Sequence, residues 1–273
     1  METFEGRTAV VTGAASGMGR AFAERFGALG MNVVLADVEE PRLNEVAGNM
    51  RESGSNVLPV VADVGRGESV DALAAKAFDT FGAVHVLCNN AGVGGGGPIA
   101  ELTTNDWKWV LDVNLWGVIH GLRAFLPTML ESGEEGHIVN TASMAGMMAG
   151  PMMGPYNATK FAVVAITETL QAELAMTTDK IGASVLCPGF VNTDIMDSAR
   201  NRPAELAGRP FDPDPAQRAA FKAMLEGGKQ PAEVALMVED AIRNRRPYIF
   251  TDREFLPVLQ DRFQRIVDGF PAK

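Results

Sequence analysis

Tyr156 and Lys160 stand four residues apart in Tyr156-Asn157-Ala158-Thr159-Lys160, so a helix through them presents a phenol and an ammonium on one face. A free phenol titrates at about 10 and is a poor base at neutral pH, whereas a neighbouring ammonium favours the phenolate. In isolation such a pair reads as an amphipathic anchor beside a lysine that reaches for solvent. This one is not isolated. The apolar run Gly136–Thr141 leads into Ala142-Ser143, with Ser143 thirteen residues before the tyrosine. The end of such a run is where an open parallel sheet binds its ligands. A serine hydroxyl there donates to a carbonyl oxygen, or holds an alcohol while the tyrosine takes its proton.

A second chemical signal lies near the N-terminus. Thr12-Gly13-Ala14-Ala15-Ser16-Gly17-Met18-Gly19 follows the first apolar run directly and opens a helical pattern. Backbone N–H groups in so tight a turn meet a pyrophosphate without interference from side chains. The spacing is looser than G-x-G-x-x-G, and a ligand-free glycine turn is the competing reading. Asp37 adds weight, because it closes the next apolar run eighteen residues past Gly19, where a ribose-binding acid is expected. Its carboxylate would accept from ribose hydroxyls and repel a 2′-phosphate. A like-charge pair at about 4 Å costs about 1 kcal/mol in water and about 4 at an effective dielectric of 20. NAD is therefore expected over NADP. Ser16 and Val38 offer no cation, and Arg42 is the remote exception.

The elements that must position these groups are legible as an alternation. Thr8–Thr12, Asn32–Ala36, Val57–Ala62, Val84–Cys88, Ile138–Thr141 and Ala183–Cys187 are short, Val-rich and nearly continuous, as in strands covered on both faces. Helical periodicity fills the intervals at Met18–Leu29, Pro41–Glu52, Ser69–Phe81, Asn105–Leu130 and Asn157–Met176. The pattern predicts a doubly wound Rossmann-type α/β parallel sheet, a single domain over 1–273 with helices on both faces. Residues 192–230, with Pro203, Pro210, Pro213 and Pro215, break the rhythm and read as an irregular lid after the 6–190 core. A helix near Ala232–Arg243, a strand at Tyr248–Thr251 and a helix near Glu254–Val267 complete the 231–273 tail.

Composition excludes other chemistries. With 273 residues, 24 Lys and Arg against 34 Asp and Glu, the formal charge of −10 argues against a nucleic-acid partner. The one basic run, Arg243-Asn244-Arg245-Arg246, suits the end of a helix. No apolar run approaches the roughly 20 residues of a membrane span, and Met1–Gly6 lacks the features of a leader, so a cytoplasmic location is expected. Cys88 and Cys187 sit in separate apolar stretches, and His85, His120 and His137 lack ligand spacing, so neither a disulfide framework nor a metal site is expected.

The ordered set Thr12–Gly19, Asp63-Val64, Asn89-Asn90-Ala91-Gly92, Asn114, Ser143, Tyr156-x-x-x-Lys160 and Pro188-Gly189 resembles the short-chain dehydrogenase/reductase family over roughly residues 6–195. The resemblance implies a cofactor site of Gly13, Ser16, Gly17, Met18, Gly19, Asp37, Asp63, Val64, Asn90, Ala91, Gly92, Tyr156, Lys160, Pro188, Gly189, Val191 and Thr193. Asp63 would bind the adenine amino group, the Asn89–Gly92 turn would touch the ribose, and Val191 and Thr193 would hold the carboxamide. Tyr156 would be the general acid/base, with Lys160 lowering its pKa, Ser143 orienting substrate and Asn114 bending its helix and placing a water beside Lys160. It also implies a homo-oligomer, tetramer or dimer, built on Asn105–Leu130, Asn157–Met176 and the last strand.

Met144, Met147, Met148, Met152 and Met153 crowd the segment between serine and tyrosine, either as core filler or as an apolar, plastic pocket wall opposite Phe190, Ile195 and Met196. The expected substrate side is thus Ser143, Met144, Tyr156 and Phe190, and the expected substrate a lipophilic secondary alcohol or ketone. Gly94–Pro98 reads as a flexible rim loop, Trp107, Trp109 and Trp116 as packing or subunit contacts, and the three histidines as structural. The competing functions are an NADPH-preferring carbonyl reductase, a nucleotide-sensing binding protein without turnover, and an epimerase or dehydratase using the same pair.

Overall fold

The computed structural model describes residues 1, 3–208 and 214–271. Pro210 and Pro213 lie outside the described residues. Among the described residues seven parallel strands form one sheet: β1 Thr8–Thr12, β2 Asn32–Asp37, β3 Val57–Val61, β4 Val86–Asn89, β5 Gly136–Thr141, β6 Ile181–Cys187 and β7 Tyr248–Phe250. Their spatial order is β3-β2-β1-β4-β5-β6-β7. The order reverses between β1 and β4, which leaves a crevice at the carboxyl edge of the sheet.

Alternate residues of each strand feed two separate apolar layers. Ala9, Val11, Val33, Leu35 and Cys88 pack under α1 Gly17–Ala28, α2 Glu40–Glu52 and α8 Pro231–Asn244, with Phe22, Phe26, Leu43 and Val238 from those helices. Val10, Val34, Leu87 and Ile138 pack on the other face under α3 Gly67–Phe81, α5 Gly117–Ser132 and α6 Gly154–Thr177, through Leu73, Phe125 and Leu170. Double coverage is why the strand sequences run apolar rather than alternating.

Two stretches differ from the sequence expectation. The single helix expected over Asn105–Leu130 is α4 Thr104–Leu111 and α5, joined by a π turn at Asp112–Trp116 with Asn114 at its centre. The Asn114 side chain is bound on both sides to Val93, accepting its N–H at 2.8 Å and donating to its carbonyl at 2.9 Å. An apolar pattern cannot register that tether. The irregular stretch over 192–230 contains 3-10 turns at Ile195–Asn201 and Ala204–Leu206 and a helix, α7 Pro215–Glu226. Asp214 caps α7 by accepting from Ala216 and Gln217 N–H, and Pro215 opens it, a start signal present in the sequence. Leu225 alone among its residues is buried. The last helix is α9 Leu256–Asp268.

The histidines are structural members. His85 Nδ1 accepts the Thr8 N–H at 3.0 Å, and His120 Nδ1 donates to the Val64 carbonyl at 2.9 Å. His137 is buried, and its Nε2 lies 2.7 Å from the Ser184 hydroxyl, which itself donates to the Arg246 carbonyl. Burial pushes His137 down to about 3. An unfolded histidine titrates at about 6.5, so between these values the unfolded chain binds the extra proton. Stability is therefore expected to fall as pH drops through 6.5 toward 3, by at most ~1.4 kcal/mol per pH unit from this residue. Denaturant unfolding across that range measures the slope, and His137→Gln should flatten it by about one proton.

Candidate active site

Thr12 ends β1 and clasps the two turns at the switch point. Its hydroxyl accepts the N–H groups of Asn90 at 2.9 Å and Ala91 at 3.0 Å and donates to the Cys88 carbonyl at 3.3 Å. The Asn90 side chain returns to the Thr12 carbonyl at 3.0 Å. This closeness dictates glycine at two positions. A Cβ on Gly13, which has φ +70°, would fall 2.9 Å from the Ala91 Cα, and one on Gly19 would fall 2.1 Å from the Gly13 carbonyl oxygen. Ser16 makes no side-chain cap on α1, and no acidic residue occupies its first turn. The first N–H groups of a helix lack intrahelical partners and carry the positive end of its dipole. A bare backbone cradle at an uncapped helix start fits a dinucleotide pyrophosphate.

The neighbouring acids are oriented by main chain. Asp37 accepts from Ala15 N–H and Glu39 N–H, both at 3.0 Å. Asp63 accepts from Gly65 N–H at 2.9 Å, and its own N–H donates to the Ser69 hydroxyl at 3.0 Å. Val64 is buried beside them against Gly117. Across the cleft, the segment after β6 returns toward α1: Asn192 N–H donates to the Lys229 carbonyl at 2.9 Å, and Thr193 stands 3.1 Å from where a Cβ on Gly17 would be. Gly17 and Thr193 thus border one opening, lined also by Arg20, Asp194 and Gln230.

Ser143, Tyr156 and Lys160 meet at the carboxyl edge of β5 and β6. Tyr156 lies close enough to Ser143 for the serine hydroxyl to favour the deprotonated phenol. The Ser143 hydroxyl also accepts Ala145 N–H at 3.1 Å and lies 3.5 Å from the Pro188 carbonyl, a loose contact that a better acceptor displaces. Lys160 is buried; its ammonium donates to the Thr141 carbonyl at 2.8 Å and lies 5.5 Å from the centre of the Tyr156 ring. Burial pushes Lys160 down to about 8. Burial also holds Tyr156 above its ordinary value, and the neighbouring Ser143 hydroxyl pulls the other way. In the protein alone, burial is the larger of these two influences on the phenol. Asn114, 1% exposed, lies behind Gly92 on the same side as Lys160.

The apolar residues divide. Met144 and Met147 are buried with Val118, Val163, Val185 and Cys187, and Met148 packs against them. Met144, expected to touch substrate, is 5% exposed within this cluster. Met152 and Met153 instead join the Gly94–Gly97 run: Gly97 N–H donates to the Met152 carbonyl at 2.7 Å. A Cβ on Gly95 would strike Val110 and one on Gly96 the Met152 carbonyl, so these glycines permit close backbone packing rather than flexibility. Phe190 forms a ring cluster with Phe221 of α7 and Phe255, at 6.0 and 6.1 Å. Trp109 is buried under the Arg202 guanidinium, while Trp116 is half exposed.

Sequence reasoning missed the contribution of the segment that follows the last strand. Gly189 N–H donates to the Thr251 hydroxyl at 2.9 Å, and a Cβ on Gly189 would strike Phe255 and Asp252. It also missed Glu39, which receives Arg200 and Asn201 from the lid. Both links cross many residues of chain, and no local spacing announces them.

A family model for short chain dehydrogenases matches residues 7–204. The chain belongs to that family. This short-chain dehydrogenase is an oxidoreductase acting on CH–OH donors. It is 36% identical to a "CLA biosynthesis dehydrogenase/reductase" of Lactiplantibacillus plantarum, over 99% of this chain and 97% of that one. A short chain dehydrogenase/reductase from Burkholderia phymatum, solved in complex with NAD, superposes with a TM-score of 0.93 at 45% identity, covering 100% of this chain and 99% of the other. A more distant solved relative is a single-site variant of actinorhodin polyketide ketoreductase with NADPH, at 33% identity and TM-score 0.78, covering 92% of this chain and 97% of its own.

Proposed function

We propose that the chain is an NAD-dependent dehydrogenase/reductase that interconverts a lipophilic secondary alcohol and its ketone, with Tyr156 as general acid/base. The observation that carries this reading is the buried Lys160, its ammonium 5.5 Å from the centre of the Tyr156 ring, with Ser143 at the same ligand edge of the sheet. Ser143 releases its long contact to Pro188 and binds the substrate oxygen, while Tyr156 takes the hydroxyl proton in oxidation and returns it in reduction. Lys160 keeps a positive charge next to the phenol and stabilises its deprotonated form. The cofactor, when bound, accepts or donates the hydride and in its oxidised form brings a positive ring to the site. Gly13, Ser16, Gly17, Met18 and Gly19 would hold its pyrophosphate, Asp37 the adenosine ribose, Asp63 and Val64 the adenine, Asn90, Ala91 and Gly92 the inner ribose, and Pro188, Gly189, Val191 and Thr193 the carboxamide.

NAD is favoured over NADP because Asp37 occupies the ribose position, and Arg42, the cation nearest to it in sequence, lies 3.4 Å from both Glu39 and Asp194. The complex of the Burkholderia relative with NAD supports the same choice. A lipophilic substrate is supported by the Phe190–Phe221–Phe255 cluster next to the Pro188–Gly189 turn. A homo-oligomer is supported by apolar surface at the end of the sheet, where Tyr248 and Phe250 stack on the outermost strand and Phe263, Ile266 and Val267 of α9 are exposed. No described helix is long and apolar enough to cross a membrane. The two cysteines are free and buried, in keeping with work in the cytoplasm.

The test is a panel of secondary alcohols, from terpene and steroid alcohols to small polyols, with NAD⁺ or NADP⁺, following reduced-nucleotide absorbance. Turnover of apolar alcohols with NAD⁺ is expected. Reaction with small polyols alone overturns the apolar pocket, and equal or better use of NADP⁺ overturns the role of Asp37.

A further inference from the structure

Two residues past Asp37, Glu39 gathers the positive charge that surrounds the ribose acid. Its carboxylate accepts from Arg200 Nε at 3.1 Å and Nη2 at 2.6 Å and from Asn201 Nδ2 at 2.8 Å, and Arg42 Nε stands 3.4 Å away. Arg42 also reaches Asp194 at 3.4 Å. The Glu39 side chain is mostly buried, 17% exposed. Burial opposes its ionisation, yet the hydrogen bonds from Arg200 and Asn201 and the two guanidinium charges hold its carboxyl below the usual carboxylate range. The Glu39 N–H orients Asp37. Arg200 and Asn201 belong to the 3-10 turn Ile195–Asn201, so the lid is tied to the ribose loop. The next residue, Arg202, ties it to α4 by a bridge of 2.8 Å to Asp106.

A 2′-phosphate on the adenosine ribose needs one or more guanidinium groups to replace its water. Arg42 and Arg200 stand beside the ribose loop, and both are committed to carboxylates. We propose that Glu39 is a second cofactor-discriminating residue: by sequestering Arg42 and Arg200 it denies a 2′-phosphate its cation, so preference for NAD rests on Asp37 and Glu39 together. This deepens the NAD reading above and rests on it. Asp37 supplies repulsion, and Glu39 removes the alternative attraction, the two routes by which a site rejects a competitor.

The experiment compares NADH and NADPH dissociation constants, by fluorescence titration, for the wild type, E39Q and E39Q/R200Q. Glu39→Gln is expected to shift the affinity ratio toward NADPH by roughly tenfold, the scale of one charge-assisted hydrogen bond, and adding Arg200→Gln is expected to reverse most of that shift. If E39Q weakens both nucleotides equally, or changes neither, the ratio stands still and the proposal is overturned, Glu39 being then a lid anchor at most. A wild-type preference for NADPH overturns the NAD reading itself, a result seen before any variant is made.

Discussion

Tyr156→Phe is expected to lower turnover by about 10³, within the 10²–10⁴ that a positioned acid or base contributes, while nucleotide affinity and melting temperature stay near the wild type. The substitution removes one oxygen and keeps the ring. That oxygen is held in a desolvated site near Ser143, on a ring whose centre lies 5.5 Å from the Lys160 ammonium. Steady-state rates and NADH titration on the same preparation check both halves. Unchanged turnover would show that the phenol moves no proton, and unchanged function with no turnover in either form would favour a nucleotide-sensing protein. In the wild type, alcohol oxidation is expected to accelerate as pH rises, because burial holds the phenol protonated and the base form must be generated.

Gly19→Ala is expected to cost at least about 100-fold in NADH affinity and roughly 1–3 kcal/mol of stability, the range for forcing atoms into a packed site. The new methyl would fall 2.1 Å from the Gly13 carbonyl oxygen and 2.7 Å from Asn90 Nδ2. Neither partner has room to retreat. Gly13 is itself pressed against Ala91, and Asn90 is bound to Thr12. The cradle must therefore open where the pyrophosphate is expected. Gly48→Ala is the matched control: Gly48 lies inside α2 with nothing within 4 Å of an added Cβ, so stability should rise by about 0.5–1 kcal/mol with no change in binding. NADH titration and thermal melts separate the two glycines.

The strands are legible because a parallel sheet covered on both faces demands continuous apolar runs, and β1, β2 and β5 have them. Their ends shift by a residue or two, as where β4 begins at Val86 rather than Val84. The break at Asn114, which the family resemblance implies, is not legible in the apolar periodicity, since its cause is a side chain bound to Val93 twenty-one residues away. The five methionines illustrate the same limit. They look alike in sequence, yet Met144 and Met147 turn into the core while Met152, at φ 63°, is exposed against the glycine run. Periodicity ranks burial along a helix or strand and says nothing within a connecting loop.

Short spacings in the chain carry the chemistry without help from the fold: the uncapped glycine turn, the acid at the end of β2, and the phenol and ammonium one helical turn apart. These are local because a turn, a strand end and a helix face are each defined by a few neighbouring residues. How that chemistry is tuned depends on remote segments. Lys160 falls to about 8 because α6 buries it against β5, Gly189 is held by Thr251 from just past the last strand, and Glu39 collects the lid's Arg200 from 161 positions away. Desolvation and ion pairing depend on distances through space, and those exist only once the sheet has brought distant parts of the chain to one edge.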